Sequence, residues 1–376
     1  MDAEPVHGER GVPLAMRLML PLLKKASRSL WKWLPARHWT PLLAISLLLC
    51  YGISAPSSQP SPEHPLQLAV QPRHEPLGEV LLQSLHRARH QIVAYVYRCT
   101  SPTITSALLE AMARGVHVEL HLDQDEIEEC PAPLLSIATG HHSRGGGIYH
   151  PKVLLLDEAF CWVGSANYTP GGLNTQANLM LGIYDAEVTK ALARLLQGSK
   201  ESSWRGELDH HLLRIFRLPG SSFYQEIIQA LSLAKREIRI AMFVLSHPGL
   251  IRALEQAHHR GVTVEILLNG WPSAADARAA LRRLHQDGMA LRLYPAHETL
   301  HAKICWIDRQ TLVGGSVNWT RSAFKRNTEL GFMLSPLVQR ERHLLSTWWQ
   351  WMWQRSHPPR AKDSPLQRLQ LFVESS

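Results

Sequence analysis

Hydrophobic and polar positions fall into two periods that succeed one another along the chain. From Leu77 to Arg89 apolar residues recur every three or four positions, which predicts an amphipathic helix. The unbroken apolar run Ile92–Tyr97 predicts a buried strand. Ile104, Leu108 and Met112 share one face of a second helix, which Gly115 closes ahead of a β-rich run, Val116–Leu122. The succession then recurs: a helix over Phe223–Lys235, a strand over Ile238–Leu245, a helix ended by Gly261, and a β-rich run over Val262–Leu268. Each series closes with two short strands, Lys152–Leu156 with Phe160–Val163 and Lys303–Ile307 with Leu312–Val313.

The recurrence extends to residue identity. "LLQSLHRARHQIVAYVY" aligns with "IIQALSLAKREIRIAMF", placing Ile92 over Ile238 and Gly115 over Gly261, both 146 residues apart. "HPKVLLLDEAFCWVGSANYT" aligns with "HAKICWIDRQTLVGGSVNWT" at an offset of 151, so the second copy holds five extra residues before its histidine. A repeat of this length is one structural unit built twice. The predicted organisation is a head segment and linker over 1–69, copy one over 70–215, copy two over 216–360 and a tail over 361–376. Strands alternating with helices predict an α/β fold with an α/β/α arrangement in each copy.

Composition narrows the class. A chain of 376 residues, 45% hydrophobic and 19% charged, buries a sizeable core and excludes wholesale disorder. The five cysteines include no CxxC pair, which excludes a zinc ribbon and a thioredoxin-type motif. Forty basic against 32 acidic residues give +8, but residues 1–59 hold seven basic and three acidic side chains, or +4. The remaining +4 is spread over the rest, so the body is nearly balanced. No charge occurs between His38 and Glu63, and the strongly apolar stretch runs only from Leu42 to Ile53. That matches the apolar region of a secretory signal better than a bilayer span of about 20 residues, with a tilted anchor as the alternative. Basic residues ahead of it predict a catalytic body outside the cytoplasm, secreted, periplasmic or membrane-anchored. Export would also permit a disulfide between Cys99 and Cys130.

The chemistry lies in H-x-K-x4-D-x6-G-S-x-N, present in both copies. Copy one carries His150, Lys152, Asp157, Gly164, Ser165 and Asn167; copy two carries His301, Lys303, Asp308, Gly315, Ser316 and Asn318. On a strand, residues i and i+2 point to one face, so each histidine and lysine project together. Two groups that disfavour each other's charge make sense around a shared anion. Ser165, Asn167, Ser316 and Asn318 add neutral donors for a bound phosphate. Two such half-sites meeting face to face would surround one phosphodiester: one neutral histidine attacks phosphorus, and the other, protonated, protonates the leaving oxygen. Lysine supplies the cation, so no metal or other cofactor is expected. Asp157 and Asp308 are grouped with the catalytic residues by motif, although tying strands together suits their position better.

These residues resemble the phospholipase D superfamily, whose hallmark is this motif in two copies; the resemblance covers about 290 residues. It implies two pseudo-twofold-related α/β/α halves with the active site between them, a phosphohistidine intermediate, His150 as nucleophile and His301 as acid. A carboxylate about eleven residues past the motif asparagine often orients a catalytic histidine in that family. Copy two has it as Glu329, whereas copy one has Asn178. "GSANYT" and "GSVNWT" resemble the compact nuclease and mitochondrial phospholipase-like subgroup, while only Arg321 and Ser322 echo the cardiolipin synthases. The implied substrate is a phospholipid at a membrane surface; the alternatives are nucleic acid cut by an exported endonuclease, phosphatidyl transfer, and a non-catalytic binding protein. The membrane reading draws on the tryptophans of "TWWQWMWQ", which also suit core packing. Two half-sites in one chain mean that a monomer suffices for one site.

Overall fold

Two mixed sheets, built on the same plan, organise the chain. The computed structural model describes residues 59–360, apart from 73–75, 144, 271, 273 and 296. In the first half, β1 (Leu66–Gln71) and α1 (Leu77–Arg87) precede β2 (Gln91–Val96), α2 (Pro102–Ala113) and β3 (His117–Asp123). Then come β4 (Ala138–His141), β5 (Lys152–Leu156), β6 (Phe160–Gly164), the short α3 (Pro170–Asn174), β7 (Asn178–Tyr184) and α4 (Ala186–Leu196). The second half runs β8 (Ser203–Leu208), β9 (His211–Leu218), α5 (Phe223–Leu233), β10 (Glu237–Met242), α6 (Pro248–His259) and β11 (Thr263–Leu268). It continues with α7 (Ala275–Gln286), β12 (Ala290–Leu293), β13 (Lys303–Ile307), β14 (Thr311–Gly315), α8 (Arg321–Lys325), β15 (Glu329–Ser335) and α9 (Gln339–Arg355).

Local chemistry explains the shared plan. In both halves a crossover helix joins two parallel strands, β2 to β3 and β10 to β11. Each crossover helix opens on a proline, Pro102 or Pro248, where the missing N–H costs nothing. Ser101 and His247 accept from the first-turn amides of Ile104 and Gly249. Each helix ends at a glycine with positive φ, Gly115 at 84° and Gly261 at 89°. The H-x-K strands, β5 and β13, then run antiparallel against β2 and β10, with Ile92 opposite Leu156 and Ile238 opposite Ile307. The sheet orders are β1-β7-β6-β5-β2-β3-β4 and β12-β11-β10-β13-β14-β15-β9-β8.

Three apolar clusters fill the layers. α1 and α2 cover the outer face of the first sheet, and α5, α6 and α7 that of the second. The third cluster is shared: inner-face residues such as Val163, Leu181, Trp306 and Phe332 join α4 and α9 in one core between the halves. Trp348 and Trp349 of α9 are buried there, their indole N–H groups donating to Gln71 O (3.0 Å) and Glu265 Oε2 (3.1 Å). Core packing, rather than a membrane face, is thus what these two tryptophans do.

Three expectations need correction. The first half begins with β1 at Leu66, inside the stretch read as linker to residue 69, because β1 pairs along its length with β7. The second half begins near Ser203 rather than 216, since β8 and β9 belong to the second sheet; β9 pairs with β15 as β1 pairs with β7. Cys99 and Cys130 are buried free thiols, so the permitted disulfide is not formed. The expected signal or anchor, the tryptophans around it and the tail over 361–376 lie outside the described residues; no described helix is long and apolar enough to cross a membrane.

Candidate active site

The histidines are placed by backbone before any side chain acts. His150 N donates to Thr328 O (2.8 Å), and Thr328 N donates to Ile148 O (3.0 Å). In the mirrored arrangement, Ala177 N donates to Thr299 O (2.8 Å), and His301 N donates to Ala177 O (2.9 Å). Each histidine segment is therefore bridged to the strand-leading residue of the opposite half: Tyr149 to Thr328, Leu300 to Ala177. Asp123 and Asn269, at the ends of the equivalent strands β3 and β11, accept from Tyr149 N (2.6 Å) and Leu300 N (2.9 Å).

That bridging decides which histidine the carboxylate serves. Glu329 leads β15 of the second half, yet its Oε2 accepts from Nδ1 of His150 in the first half (2.8 Å). Asn178 leads β7 of the first half, and its Oδ1 faces Nδ1 of His301 in the second (3.2 Å). Asn178 Nδ2 donates to Gly172 O (3.0 Å), which fixes the amide with its oxygen toward His301. Both imidazoles thus carry the proton on Nδ1 when neutral, leaving Nε2 with the lone pair. The partners were legible in the alignment, but not their crossing, which only the bridging of the halves reveals.

Lys152 and Lys303 enter the same space. Both are buried, and each ammonium donates back to the carbonyl of its own histidine, Lys152 at 2.8 Å and Lys303 at 2.6 Å. An ammonium has three N–H donors, so two on each lysine remain for a ligand. Aromatic rings missed in the sequence flank them. Tyr97 lies 5.5 Å from Lys152 Nζ and edge-on to His150, while Phe243 lies 4.9 Å from Lys303 Nζ and edge-on to His301. These two positions are 146 residues apart, so the repeat itself was the available signal.

Burial sets the electrostatics. Desolvation lowers His150 to about 4, against the opposing pull of Glu329 and with a further push from Lys152. His301, desolvated and beside Lys303, Lys152 and His150 with no carboxylate of its own, lies well below the ordinary histidine value. Desolvation also lowers Lys152 to about 7, although Glu329, Asp123 and Glu126 favour its charge, and puts Lys303 well below the ordinary lysine range. Each of these groups responds to charge on the opposite half. A buried anion would reverse all four shifts, since it stabilises every cationic form.

The structure reassigns four of the motif residues. Ser165 and Ser316 are fully buried and donate to Asn178 Oδ1 (2.7 Å) and to Glu329 Oε2, so they hold the histidine partners rather than a phosphate. The preceding glycines permit this approach: a Cβ on Gly164 would meet Leu179 O at 2.2 Å, and one on Gly315 would meet Leu330 O at 2.3 Å. Asp157 and Asp308 lie at the far ends of β5 and β13, roughly 20 Å of strand from the histidines at about 3.3 Å per residue. Asp157 accepts from the backbone N–H groups of Arg89, His90 and Gln91 at 2.7–2.9 Å, and Asp308 from those of Lys235, Arg236 and Glu237 at 2.8–3.0 Å. Their grouping with the catalytic residues is therefore corrected: they seal the helix-to-strand junctions. Asn167 and Asn318 stay half-exposed beside the site. Asn318 Oδ1 accepts from Val244 N (3.3 Å), whereas Asn167 Oδ1 has no partner.

The glycine loop before His150 braces the halves. Arg326 O accepts from Ser143 Oγ and from Gly147 N (3.3 Å), and Arg326 Nη2 donates to Gly146 O (2.8 Å). A Cβ on Gly145 would lie 2.4 Å from Arg326 O, which explains the glycine there.

Comparison with known proteins gives the same outline. The family model described as "Cardiolipin synthase, PLD-like domain" matches twice, over residues 81–199 and 227–353. Human mitochondrial cardiolipin hydrolase is 29% identical over 110 residues, covering 29% of this chain and 43% of that protein. A phospholipase D of Rickettsia bellii is 30% identical over 112 residues, covering 29% of this chain and 56% of its own. The chain thus spans about half the length of the curated relatives it matches. The crystal structure of phosphatidylserine synthase from Haemophilus influenzae superposes with a TM-score of 0.64 at 12% identity, over 82% of this chain and 92% of that one, which shows a common fold.

Proposed function

The chain belongs to the phospholipase D superfamily, and on that premise we propose that it hydrolyses the phosphodiester of a phospholipid headgroup through a phosphohistidine on His150. The observation that carries the reading is the crossing of Glu329 and Asn178 to the histidines of the opposite halves, which makes one site of two motifs. His150 is the nucleophile. Its Nδ1–H is held by Glu329, so the positive charge that develops on the ring during attack is compensated. The Nε2 lone pair forms the N–P bond while the bond from phosphorus to the leaving oxygen breaks. His301 gives its Nε2 proton to that oxygen. Water then enters, His301 takes its proton, the new O–P bond forms and the N–P bond breaks. Lys152, Lys303, Asn167 and Asn318 stabilise charge on the equatorial oxygens, the lysines with the N–H groups not used by the histidine carbonyls. The bound phosphate favours the proton on His301 and on the lysines, which burial and the neighbouring cations disfavour.

The lipid substrate draws support from relatives named for lipid substrates. Cleavage of nucleic acid is the second reading, favoured by the burial of Trp348 and Trp349, which removes part of the case for a membrane-facing surface. Incubation of the full-length protein with phosphatidylcholine vesicles and with single-stranded DNA in parallel separates the two. Choline release, converted to transphosphatidylation by added alcohol, is expected; DNA loss without choline release sinks the lipid reading. His150→Ala should abolish turnover of either substrate, and a variant with near-normal activity would overturn the two-histidine mechanism.

A further inference from the structure

A buried amide outside the repeated motif lies between the glycine loop and the carboxylate that serves His150. Asn327 follows α8, where its backbone N–H donates to Ser322 O (3.0 Å) and the chain turns toward β15. Its side chain is buried, and its Oδ1 accepts from Ile148 N (3.3 Å) and from Ser322 Oγ (3.2 Å). A backbone N–H can only donate, so the amide is fixed with its oxygen toward Ile148 and its nitrogen on the other side. There Nδ2 donates to Glu329 Oε1 (3.0 Å). Glu329 Oε2 already accepts from His150 Nδ1 and from Ser316 Oγ, so Asn327 satisfies the remaining oxygen. The glycine loop is laid tightly against this amide: a Cβ on Gly147 would lie 2.3 Å from Asn327 Oδ1.

The first half builds the same lead into its strand without this contact. Gln176 stands at the equivalent position, 151 residues earlier, as Asn178 stands at that of Glu329. Asn178 turns its own Nδ2 to Gly172 O, and the Gln176 backbone O accepts from Gln71 Nε2 (2.8 Å). The two positions have therefore diverged together: the half whose histidine partner is a carboxylate has an amide donor directed at it from two residues upstream. A carboxylate held by one oxygen can rotate away from Nδ1, since its last torsion is soft. Donors on both oxygens fix its plane. The residue at 327 must accept from the loop and donate to a carboxylate, which an amide does and an aspartate does not. Aspartate there would set two like charges against each other.

We propose that Asn327 is a positioning residue, which locks the Glu329 carboxylate onto His150 and ties that geometry to the glycine loop of the opposite half. The proposal rests on the phosphodiesterase reading, in which His150 is the nucleophile, and adds to it the residue that holds the nucleophile's partner in place. A double-mutant cycle on the full-length protein, with soluble bis(p-nitrophenyl) phosphate as substrate, tests it. Asn327→Ala should lower kcat about tenfold with KM kept within about twofold, because the side chain acts through Glu329 and not on the substrate. Asn327→Asp keeps the acceptor for Ile148 N and Ser322 Oγ and changes only the face toward Glu329; it should lower kcat about 30-fold, and it carries the test if the alanine variant folds poorly. Placed on top of Glu329→Gln, Asn327→Ala should cost less than about a further twofold, since the group it positions is already gone. An equal loss in both backgrounds overturns the proposal, leaving Asn327 a brace for the loop alone. Wild-type kcat in Asn327→Asp overturns it as well. A wild type inert on the diester, or a Glu329→Gln variant with undiminished kcat, overturns instead the mechanism on which the proposal rests.

Discussion

The two histidines differ by one atom type in their partners, and that difference sets distinct acid–base behaviour. Glu329 compensates an imidazolium at His150; Asn178 offers His301 only a neutral oxygen. Asn178→Asp should raise the pKa of His301, moving the descending, alkaline limb of the kcat/KM profile upward by about one pH unit. Glu329→Gln should lower kcat on the order of 10²-fold and move the ascending limb down, because His150 then loses its proton at lower pH. A pH–rate profile of each variant checks both, and limbs that move together would contradict separate roles. At this scale the sequence was informative about identity and silent about direction. His150, Lys152, His301 and Lys303 could be read from i, i+2 spacing, but Ser165 and Ser316 could not be told from phosphate ligands. Their task depends on a neighbouring strand whose carbonyl oxygen would lie 2.2–2.3 Å from any Cβ placed on the motif glycine, and no spacing in the motif encodes that.

Among the elements, the turn between β5 and β6 shows why each motif aspartate is where it is. Asp157 and Glu158, like Asp308 and Arg309, hold positive φ (51–59°), which suits a tight hairpin turn and favours Asp at the first position. Burial alone would raise the Asp157 carboxyl, but the backbone N–H groups of Gln91, His90 and Arg89 outweigh it and hold it below the usual range. Asp157→Ala should therefore cost about 2–4 kcal/mol, seen as a lowered midpoint in urea, with kcat of the folded enzyme kept within about twofold. A large loss of kcat without loss of stability would return this residue to the chemistry. Helices and strands were legible here because their apolar periods are strong. Boundaries at 70 and 216 were not, since β1, β8 and β9 are edge-region strands identified by pairing rather than by pattern.

For the whole molecule, a site this buried makes stability depend on protons. His150 titrates near 4 when folded and near 6.5 when unfolded, so the unfolded chain takes up its proton first and stability falls as pH drops through that interval. Lys152, near 7 when folded and near 10.5 when unfolded, withdraws stability in the same sense as pH falls from about 10.5 to about 7. An oxyanion raises both values. Vanadate or tungstate should thus increase Tm, with a gain that grows from about pH 8 to pH 6, and calorimetry in two buffers should register proton uptake on binding. Anion binding without proton uptake would mean that the lysines are already charged in the empty site. The repeat announced two halves, but not that α9 and the inner faces of both sheets would share one core, because contacts between copies leave no periodic trace within either.

The paired bridges, Tyr149 with Thr328 and Leu300 with Ala177, carry one more consequence. A ribosome delivers the first half, His150 included, well before Glu329 exists. Until the second half has closed against it, His150 lacks the group that holds its proton, and no acid stands opposite. Under the proposed mechanism, turnover is therefore a property of the finished molecule alone. On that mechanism a nascent or half-unfolded chain would spare the phosphodiesters around it, and any lesion that parts the halves removes the partners of both histidines at once.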